Sequence, residues 1–152
     1  MKKQRPEALS QYVWFMRLLG VFYALGALIF FFFPNEVFYL INVGPRVFRI
    51  VDAIPDSSEH FWLVLASSLM IVLSVLSFLA GGAPKVRGYA LVHILSKLFT
   101  ACAYLYLFVN EQKYFAYLIG FLIDIPLALL IIIVTLRVRP FLKTDPITEA
   151  VK

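Results

Sequence analysis

The sequence predicts an all-α integral membrane protein, a four-transmembrane-helix bundle with a short amphipathic interfacial helix between helices one and two. Three observations lead there. Of 152 residues, 62% are hydrophobic and the mean hydropathy is +0.87, beyond the half-apolar composition of soluble domains. The apolar residues gather in four runs of spanning length, at about 11–33, 61–80, 88–109 and 114–136. Ten of the 14 Lys and Arg then fall on one side of those runs. The chain reads as a single polytopic membrane domain over 1–152 with no separate soluble domain.

Residues 1–10 are polar and basic, with Lys2, Lys3 and Arg5, and helix one follows over about 11–33. The run is too long for a secretory signal and ends in Phe-Phe-Phe-Pro rather than a small-residue cleavage site, so it reads as a retained span. Gly20, Ala24 and Ala27 make a small-residue stripe suited to close helix contact. Pro34 and Asn35 stop this helix, and Gly44-Pro45 marks a turn. In the interfacial segment 35–60, Val47, Phe48, Ile50, Val51 and Ile54 follow helical spacing, with Arg46, Arg49 and Asp52 on the other face. That pattern predicts a short helix lying in the membrane interface, as a connector or as a lid over the bundle.

Helix two spans about 61–80, and Ser67, Ser74 and Gly81 recur every seven residues as a second packing seam. Gly81, Gly82 and Pro84 make a tight connection to helix three, at 88–109; the turn 110–113 leads to helix four, at 114–136, and a basic tail follows at 137–152. Lys2, Lys3, Arg5, Arg17, Lys85, Arg87, Arg137, Arg139, Lys143 and Lys152 share one side, against Arg46, Arg49 and Lys113 on the other. The positive-inside rule then places both termini in the cytoplasm, for a bacterial chain at the inner membrane. The net charge of +5 therefore argues for the lipid bilayer and its anionic headgroups as partners, met by Arg137, Arg139 and Lys143, and not for nucleic acid.

Three ionisable residues interrupt the last two spans: His93, Lys97 and Asp124. With helix three entering near Gly88 and helix four from the other side near Phe115, Lys97 and Asp124 each lie ~13 Å deep. A lone charge at that depth costs ~2.5–3.5 kcal/mol or more, so the two are expected to pair. Tyr89, His93, Lys97, Thr100 and Tyr104 form one polar stripe on helix three, and Tyr117, Gly120 and Asp124 share a face of helix four. Pro126 leaves the Leu122 carbonyl without its helical donor, a second acceptor that Lys97 could take. The pair reads either as a register-fixing contact or as part of a proton- or solute-responsive pocket with His93.

Other chemistry finds little support. Cys102 is the only cysteine, which excludes intrachain disulfide chemistry. His60 and His93 lie near opposite membrane faces, and no Cys, His, Asp or Glu cluster has metal-site spacing, so no cofactor is expected. No G-x-S-x-G motif accompanies the serines. In length, four-helix layout and the residues Phe33-Pro34, Phe61-Trp62, Lys97 and Asp124, most of the chain resembles small bacterial inner-membrane proteins, including DoxX-like ones. The resemblance implies an accessory membrane protein. The first-helix glutamate of small multidrug-resistance exporters is missing, since no carboxylate occurs between Glu7 and Glu36. The expected function is a non-enzymatic accessory or binding subunit packing with itself, as a homo-oligomer, or with a larger membrane complex. The alternative is a small oligomeric transporter or proton-coupled carrier using Lys97, Asp124 and His93.

Overall fold

In an apolar medium backbone N–H and C=O groups must be paired within the chain, and uninterrupted apolar runs do this most simply as helices. The computed structural model describes residues 7–49, 51–55 and 60–142. In order they form α1 (Glu7–Phe32), α2 (Pro34–Ile41), α3 (Val43–Phe48), α4 (His60–Gly82), α5 (Arg87–Asn110) and α6 (Phe115–Leu142). Four are long and apolar enough to cross a membrane, over Glu7–Phe32, Phe61–Gly82, Arg87–Asn110 and Phe115–Leu142.

The long helices pack mainly as two antiparallel pairs, α1 with α4 and α5 with α6; thinner α4–α5 and α1–α6 contacts close the bundle. Small residues bring α1 and α4 together. Ser74 Oγ donates to the Gly20 carbonyl at 2.8 Å. A Cβ built on Gly20 would stand 3.0 Å from the Phe78 ring, and one on Gly81 3.3 Å from the Val13 carbonyl. Both stripes read from the sequence thus meet each other, with Ser67 and Ala27 also buried. At the end shared by the start of α1, the α4–α5 turn and the end of α6, Tyr12, Met16, Ala90, Ile131 and Val138 form the core.

The connector between the first two spans departs from its expected form. Pro34 ends α1 but also opens α2 as its first residue, where a missing N–H costs nothing. Gly44-Pro45 lies within the first turn of α3 rather than in a turn between elements, for the same reason. The helix expected across Arg46, Arg49 and Asp52 stops at Phe48, because Arg49 takes a left-handed conformation, φ 54°, that ends it. Asp52 is instead extended: its N–H donates to the Lys113 carbonyl at 2.9 Å and its carbonyl accepts from the Phe115 N–H at 3.0 Å. Asn42 reinforces the fold-back, donating from Nδ2 to the Ile54 carbonyl and accepting from the Ile54 N–H, at 2.8 and 2.9 Å. Gly44 presses on α6, where a Cβ would come within 2.0 Å of the Phe115 ring. The connector is therefore strapped over the α5–α6 turn. Ile50 lies outside the described residues.

The basic tail expected from residue 137 begins later. α6 continues to Leu142 with Pro140 in its last turn, because Ile131, Val138 and Leu142 extend the apolar stripe onto the core around Tyr12. Arg137 and Arg139 are thus exposed helical residues. Lys143 and Lys152, like Lys2, Lys3 and Arg5, lie outside the described residues.

Candidate functional site

The antiparallel approach of α5 and α6 brings Lys97 and Asp124 to one height. Lys97 Nζ lies 2.8 Å from Asp124 Oδ1, with both side chains largely buried, at 14% and 8% exposure. The second carboxylate oxygen also has a donor within reach: the Thr100 hydroxyl lies against Asp124 Oδ2, with the Ser96 and Lys97 carbonyls as its alternative acceptors. Each oxygen thus has a donor, which is what keeps a carboxylate tolerable away from water. The Leu122 carbonyl does not join them. Leu122 and Pro126 lie on the exposed side of α6 while Asp124 faces inward, because residues two apart point to opposite sides of a helix.

Lys97 has a different second neighbour. Its ammonium stands 5.3 Å from the ring centroid of Tyr23, on α1, within cation–π range. The same tyrosine stacks on His93, with ring centroids 5.7 Å apart and planes inclined by 13°. His93 is completely buried and shares a 3.0 Å hydrogen bond between Nε2 and Ser77 Oγ of α4. Four helices thus converge on one polar centre: Tyr23, Ser77, His93 with Lys97 and Thr100, and Asp124. Two of its polar atoms, Tyr23 Oη and His93 Nδ1, are buried without a hydrogen-bond partner among the described residues.

The polar stripe of α5 is accordingly divided. Tyr89 packs at the edge of the Tyr12 core. Tyr104, at the other end, stacks on Tyr117 with centroids 6.2 Å apart and fills the space left by Gly120. Only His93, Lys97 and Thr100 of that stripe share the centre with Asp124. Sequence reasoning missed Tyr23 and Ser77. Both carried a signal: Tyr23 lies one turn from Gly20 and Ala27 on the packing face of α1, and Ser77 lies one turn from Ser74 on that of α4. Arg46 and Arg49 are remote, at the connector end, where Arg46 lies 4.4 Å over the Tyr39 ring. Among the described residues no group of three or more His, Cys, Asp or Glu side chains is placed to hold a metal ion.

Fold and site together define a helical protein whose four candidate spans suggest a multi-pass membrane protein, closed around a buried Lys–Asp pair. No family model, curated protein or solved structure matches the chain.

Proposed function

We propose that this chain is a non-enzymatic integral protein of the bacterial inner membrane, with both termini cytoplasmic, acting as an accessory or binding subunit. It packs by its helices with a second copy or with a larger membrane complex; the accessory role is also what the resemblance to DoxX-like proteins implies. One observation carries the reading. α5 is the least apolar of the four spans, yet its apolar stretch is also the least buried of the four, less than that of α6 and well below those of α1 and α4. Its uncovered side presents Leu95, Phe99, Cys102, Tyr106 and Val109, a seven-residue repeat of the kind that seats a partner helix. In this reading the Lys97–Asp124 pair fixes the register of α5 on α6 so that the seam stays presented.

Oxidative crosslinking of native membranes through Cys102, followed by sizing in mild detergent, tests this. A crosslinked dimer abolished by Cys102→Ser, or a stoichiometric co-purifying partner, supports it. A strictly monomeric species with neither result contradicts it.

A second reading, a small proton-coupled carrier, is favoured by the unpartnered Tyr23 Oη and His93 Nδ1 beside the ion pair. It requires proton or ion flux in reconstituted vesicles that His93→Ala and Asp124→Asn reduce. Flux equal to that of empty vesicles across a pH series removes it for the ions assayed.

A further inference from the structure

We infer that the chain holds one anionic phospholipid in a cleft at its basic end, between the start of α5 and the end of α6. The inference rests on the membrane reading above but not on the accessory role. The cleft is small and open on one side, and Tyr12, Arg87, Ala90, Thr135, Arg139 and Leu142 are among the residues that line it. Its surface is predominantly apolar, suited to the first segment of an acyl chain along Leu136, Val138 and Leu142.

The polar groups that line it all call for an anion. Arg87 and Arg139 contribute from two different helices, and neither has an ion-pair partner among the described residues. Glu7 is the one carboxylate at this end among the described residues, and it accepts a hydrogen bond from Gln11. Thr135 Oγ1, on the cleft wall, is buried without a hydrogen-bond partner among the described residues. Two guanidiniums can grip phosphate oxygens with paired N–H donors, and the Thr135 hydroxyl supplies a further donor. Arg87 stands in the first turn of α5, whose N–H groups no side chain caps. At the membrane boundary a ligand that joins a phosphate to a hydrocarbon chain is a phospholipid, and the excess positive charge selects an anionic one.

Arg137 separates this site from ordinary surface attraction. It lies on the same end of α6 and is exposed, but it does not line the cleft. The test uses the full chain in nanodiscs containing phosphatidylglycerol and phosphatidylcholine, with native mass spectrometry of the protein released from them. The wild type should retain one phosphatidylglycerol in preference to phosphatidylcholine. R87Q/R139Q should reduce that retention about tenfold or more, whereas Arg137→Gln should leave it within about twofold. All three substituted positions are exposed, so recovery in the membrane fraction and unchanged helical circular dichroism verify the fold independently of the lipid result. Equal retention of both lipids, or equal loss in Arg137→Gln and R87Q/R139Q, overturns the cleft. Full displacement of the lipid by millimolar inorganic phosphate would do so too, since it would show a free-anion site in place of a lipid one.

Discussion

The two helix pairs of this bundle meet the same packing requirement with different chemistry. Between α1 and α4 the contact comes from proximity: glycine and serine let the backbones approach and Ser74 reaches the Gly20 carbonyl, the kind of packing that the proposed membrane setting, with no hydrophobic drive between helices, calls for. Between α5 and α6 the main polar link is concentrated in one ion pair with a hydroxyl beside it. The first arrangement spreads its energy over many small contacts. The second places it in two residues that cannot be lost separately. Tyr23 connects the two, standing on α1 while its ring meets His93 and Lys97 of α5.

That contrast sets an order of sensitivity. Asp124→Leu alone should be the most damaging change, lowering stability by about 3–5 kcal/mol because Lys97 is left as an uncompensated buried charge. Thermal unfolding in mild detergent measures it, and a loss under ~1 kcal/mol would place the pair in contact with water. Gly20→Leu should come next, at about 1–3 kcal/mol, by forcing the Phe78 ring from the α1–α4 seam. Phe78→Ala in the same background should restore part of the loss; if it deepens the loss, the seam is not where the strain lies. Ser74→Ala should cost least, about 0.6–2 kcal/mol, the range for interhelical hydrogen bonds in membranes. A cost equal to that of Asp124→Leu would erase the distinction between the two pairs.

How far these features were legible depends on the range of the forces behind them. The four long helices follow from apolar run length alone, and the Lys97–Asp124 contact follows from matching depths on adjacent antiparallel helices. Both are consequences of one-dimensional spacing. The connector was less legible because Gly and Pro carry opposite meanings at the start and the end of a helix. Pro34 reads as a stop and Gly44-Pro45 as a turn, yet both prolines lie in first turns. The fold-back of Asp52 onto Lys113 and Phe115 depends on residues some sixty positions apart, which no local pattern reports. Tyr23 was missed for a related reason. A tyrosine in an apolar helix reads as core until the stripe of another helix shows which groups stand opposite it. The end of α6 was misplaced because Arg137 and Arg139 drew attention from Val138 and Leu142 between and beyond them.

The central claim is that a single buried ion pair sets the arrangement of α5 on α6. A double-mutant cycle of Lys97→Met and Asp124→Leu, read by unfolding in the same detergent, tests it most directly. Each single variant should lose about 3–5 kcal/mol, and the double variant should recover most of that loss, because two apolar side chains of similar volume leave no buried charge behind. Losses that simply add would show that the two residues act independently and would contradict the claim.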